Sequence, residues 1–169
     1  MAAIRLAAKD DIAAIRALVE SAYRGDTARA GWTHEADLLS GDRTSDEELA
    51  AVFANPDQRL LVAESDGAIL GTVTVSRAGP DRAYLGMLAV APQGQTGGIG
   101  RRLLAAAEAA AQEAWGSATV EMTVIGRRSE LIGWYERRGY ARTGEIRPFP
   151  HASDKPIDLP MVVLARNLG

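Results

Sequence analysis

Apolar residues change their spacing along the chain, and the changes separate strands from helices. A short stretch at residues 3–6 reads as a strand. Asp10 and Asp11 then open a helix whose apolar positions Ile12, Ile15, Leu18, Val19 and Ala22 fall on one face. Acidic residues suit that first turn because they meet the positive end of the helix dipole. Ser45-Asp46-Glu47-Glu48 has the form of a capping box and predicts a second helix through Leu49, Val52 and Phe53, ended by Asn55-Pro56. Strands over 59–64 and 68–77 meet at Asp66-Gly67, a strong hairpin turn. Ala78-Gly79-Pro80-Asp81 turns the chain into a strand over 82–90. A long alanine-rich helix follows, from Ile99 to about residue 114, and then a strand over 118–125. A helix over 129–138 stops at Gly139, and strands over 140–147 and 161–167 close the chain.

The predicted order is β-α-α-β-β-β-α-β-α-β-β. Three consecutive strands flanked by helices indicate a mixed sheet, of the α/β or α+β kind. Two connections are long. Residues 24–44 include a possible helical turn near His34 to Leu39, and Trp32, Leu38 and Leu39 argue against disorder there. Residues 148–160 form a Pro-rich loop.

Composition narrows the function classes. A chain of 169 residues with 47% apolar and 24% charged residues fits one domain, 1–169, with its own core. A net charge of −3 leaves no basic footprint, so nucleic acid is not an expected partner. With no cysteine and only His34 and His151, a disulfide, a thiolate intermediate and a metal site are not expected. Glu108, Gln112 and Glu113 interrupt the longest alanine-rich stretch, so no membrane span is expected. The N-terminus turns early to charge at Arg5, Lys9, Asp10 and Asp11, which is unlike a signal peptide and makes a cytoplasmic location the default.

The chemistry concentrates in Leu88-Ala89-Val90-Ala91-Pro92-Gln93-Gly94-Gln95-Thr96-Gly97-Gly98-Ile99-Gly100-Arg101-Arg102. A β-branched apolar run ends at proline, a glycine cluster follows, and a helix begins. Such a turn presents backbone N–H groups to a phosphate, because glycine lets the backbone come close. Arg101 and Arg102 sit at the positive end of the helix, where a cation is unfavourable by about 0.3–1 kcal/mol unless an anion joins it. An ordinary tight turn with two solvated arginines would look the same from the glycines alone.

Three phosphate-binding designs fit such a loop. A P-loop needs Lys-Ser or Lys-Thr after the last glycine, where this chain has Arg101-Arg102-Leu103. A dinucleotide fold needs its glycines directly after the first strand of a parallel unit, with an acid about 20 residues on. Here three strands precede the loop, and Glu121 lies inside a strand. The third design is acyl-coenzyme A (CoA) binding. Gln95-Thr96-Gly97-Gly98-Ile99-Gly100 resembles the Gln/Arg-x-x-Gly-x-Gly/Ala signature of the GNAT superfamily of N-acetyltransferases. Leu88-Ala89-Val90-x-Pro92 looks like the segment before that signature. Leu131-Ile132-Gly133-Trp134-Tyr135-Glu136-Arg137-Arg138-Gly139-Tyr140 is similar to its Tyr-x-x-x-Gly-Phe segment. The element order matches the family across nearly the whole chain.

The resemblance implies a fold, a co-substrate and site residues. The fold is a central mixed sheet of about seven strands, splayed at the strand before the glycine loop and flanked by about four helices. Leu88, Ala89 and Val90 would bind the pantetheine arm of acetyl-CoA like an added strand. The amides of Gln95, Thr96, Gly97, Gly98, Ile99, Gly100 and Arg101 would hold the pyrophosphate. Ser129 stands where many relatives carry an asparagine, and Arg127 and Arg128 could reach the phosphates or simply be solvated.

An amine would attack the thioester directly, a backbone N–H near Val90 would stabilise the oxyanion, and Tyr135 would protonate the leaving thiolate. A phenol of pKa about 10 is protonated at neutral pH and can serve that sulfur. Leu131 and Tyr135 also share a helix face, a spacing that suits a core residue equally well. The strand Tyr84-Leu85-Gly86-Met87-Leu88-Ala89-Val90 lacks the glutamate that many relatives use as base, which leaves Glu35, Asp37, Glu121 or a water chain. Trp32, Glu35 and Asp37 lie in the segment that walls the acceptor cleft in relatives. They could hold a cationic amine of a small molecule or peptide, or merely solvate a loop. Tyr23, Arg24, His34, Phe149 and His151 are weaker acceptor candidates. Many family members are dimers, so a homodimer is the assembly the resemblance implies.

Overall fold

The computed structural model describes residues 2–23, 46–91, 98–126, 128–147 and 161–168. The helical turn expected near His34, the cap at Ser45 and the Pro-rich loop lie outside the described residues. Seven strands and four α-helices are described: β1 (Ala3–Leu6), α1 (Ile12–Tyr23), α2 (Asp46–Ala54), β2 (Gln58–Ser65), β3 (Ala68–Arg77), β4 (Arg82–Val90), α3 (Ile99–Trp115), β5 (Thr119–Ile125), α4 (Ser129–Glu136), β6 (Ala141–Arg147) and β7 (Met161–Asn167). A single 3-10 turn, Lys9–Asp11, leads into α1.

The strands form one mixed sheet in the order β1-β2-β3-β4-β5-β7-β6. The β4–β5 pair is parallel, and the neighbours on either side are antiparallel. The expected order of elements and the mixed seven-stranded sheet are therefore what forms. Helix α4 ends at Glu136, two residues before the expected boundary. Residues 137–139 instead make a turn in which the Arg138 N–H donates to the Tyr135 carbonyl at 2.9 Å and the Gly139 N–H to that of Glu136 at 3.1 Å.

Each face of the sheet carries helices because each face presents apolar residues. On one face Leu61, Val73, Val75, Leu85, Val120 and Met122 pack with Ile99, Leu103, Leu104, Ala107 and Ala111 of α3 and Ile132 of α4. Alanines at the sheet-facing positions of α3 let that helix lie close. On the other face Ile15 and Val19 of α1 and Leu49 of α2 cover Leu60, Val62 and Ala89. Burying each such side chain contributes about 1.5–3 kcal/mol, so the two layers fix where α3 and β4 stand. No described helix is long and apolar enough to cross a membrane.

Among the described residues two carboxylates are buried, Glu108 and Glu121. Glu108 of α3 is buried, and its Oε2 accepts the Tyr140 hydroxyl at 2.8 Å while its Oε1 accepts Arg166 Nη1 at 2.8 Å. Tyr140, just before β6, is also buried. A Cβ on Gly139 would stand 3.0 Å from Arg166 Nε, so the glycine makes room for the arginine. Burial, and then the facing Glu108 carboxylate, push the Tyr140 phenol well above its ordinary pKa.

That shift fixes the sign of a pH effect. Below the ordinary tyrosine pKa, about 10, folded and unfolded chains both hold the proton. Above it only the folded chain does, so stability falls as pH rises, by up to about 1.4 kcal/mol per pH unit. Urea unfolding at stepped pH should show Tyr140→Phe with a flatter alkaline slope than the parent, and with about 1 kcal/mol less stability at neutral pH. Equal alkaline slopes would contradict this account.

Candidate active site

The sheet opens at its centre. Strands β4 and β5 pair over Arg82↔Thr119, Ala83↔Val120 and Tyr84↔Glu121, and there the ladder ends. Both strands run on, β4 to Val90 and β5 to Ile125, so they part like a V. On its other side β4 bulges. Thr72 pairs with Ala89 and Thr74 with Gly86, so Met87 and Leu88 together oppose Val73. A bulge bends a strand and increases its twist, which turns the end of β4 away from β5. The Tyr84 hydroxyl lies 2.6 Å from Thr123 Oγ1, bridging the two strands just above the closed end.

Helix α3 begins beside the open end. Its N-cap is Gly98, with φ +72°, a left-handed conformation that an L side chain rarely adopts, and no side chain caps the first turn. The N–H groups of that turn have no intrahelical acceptor. Arg101 and Arg102 lie in the same turn and no acid does. The arrangement attracts an anion twice, through oriented amides and through fixed charge.

Gly71 sets how near α3 comes. It pairs with Val90, and a Cβ on it would stand 2.7 Å from Leu103 Cδ1, 3.0 Å from Ile99 Cγ2 and 3.3 Å from the Ala89 carbonyl. Sequence reasoning passed over this residue, although an isolated glycine inside a strand is the usual sign of a close approach.

Helix α4 supplies the other wall. The Trp134 ring lies against α3, 3.5 Å from where a Cβ on Gly100 would be, and Val90 Cγ2 is equally near that point. Trp134, Val90 and Gly100 thus meet where strand, turn and helix join. Trp134 lies inside the segment Leu131 to Tyr140, and only its contact across elements marks it out. Tyr135 follows it, buried at 5% exposure, with its ring edge-on to Trp134 at 5.0 Å and to Tyr140 at 5.9 Å. It belongs to the core cluster, as its spacing from Leu131 allows, and it sits one residue from the contact with Gly100.

The structure therefore gathers Ala89, Val90, Ile99 and Gly100 into one place, with Gly98 and Arg101 beside them and Leu88 in the bulge. Ser129 stands exposed at the first residue of α4. Gln95, Thr96, Gly97 and Arg127 lie outside the described residues, as do Trp32, Glu35 and Asp37 and the weaker acceptor candidates Arg24, His34, Phe149 and His151. Glu121, one of the possible bases, is 8% exposed and paired with Arg82 and Arg147, each at 3.4 Å. Among the described residues no three His, Asp or Glu side chains are grouped to hold a metal ion.

Residues 33–155, more than half of the chain, match the family model described as an acetyltransferase (GNAT) domain. No curated protein matches the sequence. Solved structures share the fold. An acetyltransferase of the GNAT family from Streptococcus pneumoniae aligns over 100% of both chains at 20% identity with a TM-score of 0.70. The yncA protein of Salmonella typhimurium, solved with its cofactor acetyl-CoA, aligns over 100% of this chain and 95% of its own at 22% identity, TM-score 0.74. A ribosomal-protein-alanine N-acetyltransferase from Brucella melitensis aligns over 98% of this chain and 99% of its own at 21% identity, TM-score 0.71.

The two glycines against α3 should respond differently to added bulk. Gly71→Val drives carbon into Leu103, Ile99 and the β4 backbone and should cost about 1–3 kcal/mol. Gly100→Ala meets only ordinary contacts and should be neutral, or stabilising by up to about 1 kcal/mol through helix propensity. Urea denaturation of both variants measures this, and comparable effects would mean that Gly71 does not limit the approach of α3.

Proposed function

The chain belongs to the acetyltransferase (GNAT) family, and from that premise we propose that it transfers an acetyl group from acetyl-CoA to a primary amine of a small molecule or peptide. The observation that carries the proposal is the parting of β4 from β5 directly beside the uncapped, cationic start of α3. A thioester carried on a long flexible arm with a diphosphate needs a slot for the arm and a grip for the phosphates. The end of β4, at Leu88, Ala89 and Val90, offers the wall of the slot. The turn from Gln95 through Thr96, Gly97, Gly98, Ile99 and Gly100 to Arg101 offers the grip, and Ser129 lies at the start of the neighbouring helix.

Transfer takes place in one displacement. The neutral amine nitrogen forms a bond to the acetyl carbon, the carbon–sulfur bond breaks, and the electron pair leaves on sulfur. A backbone N–H near Val90 stabilises the charge that develops on the carbonyl oxygen, typically the largest single contribution in acyl transfer. Tyr135 donates its phenolic proton to the departing thiolate and recovers one from the amine through solvent. Trp32, Glu35 and Asp37 are proposed to receive the acceptor. The acceptor class draws support from the Brucella melitensis protein, whose name specifies an alanine of a ribosomal protein.

A second reading rests on a specific observation. Strand β4 carries no carboxylate, and Glu121 is engaged by two arginines. A fold lacking a base could serve as a non-catalytic acyl-CoA-binding module. Thiol release from acetyl-CoA over a panel of primary amines separates the two, because a binding module releases none.

Two variants test the roles. Tyr135→Phe should lower kcat by about 10²-fold or more while leaving the Kd for CoA nearly unchanged. Unchanged kcat would remove Tyr135 from the mechanism. Gly98→Asp and Gly98→Asn have nearly the same shape, and both residue types tolerate positive φ, so their difference isolates charge. The aspartate should weaken CoA at least about tenfold more than the asparagine, by repulsion of the diphosphate. Equal affinities would place the phosphates elsewhere.

A further inference from the structure

Arg101, in the first turn of α3, and Arg137 and Arg138, in the turn that follows α4, place three charges close enough to act on one another. The Arg138 guanidinium lies over the indole with its Cζ 4.0 Å from the ring centroid. Its Nη1 donates to the Trp134 carbonyl at 2.8 Å, and its buried Nε makes no hydrogen bond. The stack fixes the plane of the guanidinium on a side chain that would otherwise wander. Because Trp134 rests against Gly100, Arg138 is held across one ring from the first turn of α3. Arg101 projects from that turn, with Nη2 3.6 Å from where a Cβ on Gly98 would stand. Arg137 follows α4 on the exposed side, its Nη1 3.4 Å from the Cβ position of Gly133.

These charges oppose one another. Burial lowers the Arg138 pKa, and the nearby Arg137 and Arg101 lower it further, with no carboxylate among the described residues to offset them. Folding that brings three cations together, one of them half-buried and clamped, calls for an anion. Guanidinium groups suit phosphate, since their planar forks match its oxygens. On the proposed function the amides of the turn serve the diphosphate. The acyl donor carries one more anionic group, the phosphomonoester on its ribose, with a charge near −2 at neutral pH.

The geometry points to a second anion subsite, built by Arg101, Arg137 and Arg138, that binds the ribose phosphomonoester of the acyl donor. It rests on the acetyl-CoA assignment above and extends that site outward from the diphosphate. Arg138 is the central ligand, and Trp134 is the positioning residue that holds it.

Dephospho-CoA lacks only this phosphate and is the direct probe. Kd values for CoA and dephospho-CoA, measured by calorimetry on the full chain, should differ at least about tenfold in favour of CoA. Arg138→Gln should erase most of that preference by weakening CoA and leaving dephospho-CoA unchanged. Equal affinities in the parent protein, or equal weakening of both ligands by the variant, would overturn the subsite while leaving the acetyl-CoA assignment standing. If neither ligand binds the parent, the assignment and the subsite fall together. Should Arg138→Gln not fold, the exposed Arg137→Gln must show a smaller loss confined to CoA, and no such loss refutes the proposal.

Discussion

The ladder between β4 and β5 ends after three residue pairs, and the rest of the molecule is arranged around that ending. A parallel pair that ran its full length would close the sheet and leave nothing between the strands. Here the bulge at Met87 and Leu88 twists β4 away, while Tyr84 and Thr123 tie the two strands together just above the point of departure. An opening of this kind exposes main chain, which is costly unless something else occupies it. On the proposed function that occupant is the acyl donor, whose binding would offset the cost of opening the sheet.

The walls of the opening are held by packing on both faces. Helix α3 lies close against β3 because Gly71 has no side chain, and its alanine-lined face keeps it there along its length. On the opposite face α1 and α2 cover Ala89 from below. The end of β4 is therefore held from both faces where the strand must bend, Val90 meeting Gly100 of α3 and Ala89 meeting α1 and α2. The proposed phosphate grip is useful only if it cannot drift, and this double contact anchors the strand that leads toward it.

Much of this was legible in the sequence. Period and punctuation located the described strands and helices to within about two residues, because each apolar run ends at a glycine, a proline or an acidic cap. The glycine turn declared itself by breaking a local rule, with two arginines at a helix start. The splay was not legible from period or spacing. It depends on register between strands distant in the chain, and a bulge of one residue leaves no mark in a pattern of apolar positions. Gly71 and Trp134 escaped for a related reason: their importance lies in what they touch across elements. The role of Tyr135 is the hardest to read, because a buried tyrosine on an apolar helix face satisfies packing and chemistry alike.

The trio of Glu108, Tyr140 and Arg166 has a consequence for how such a protein can change over time. Glu108 is the member that both others answer, so losing Arg166 leaves a buried carboxylate short of its counter-charge, a loss of several kcal/mol in a typical protein, while losing Tyr140 keeps the ion pair and costs about 1 kcal/mol. Exchanging all three at once for oily side chains of similar volume carries no such cost. Descendants of this chain should therefore keep Glu108 and Arg166 together or abandon them together. Gly139 stands outside that choice, because its φ of +98° calls for glycine whatever side chain faces it.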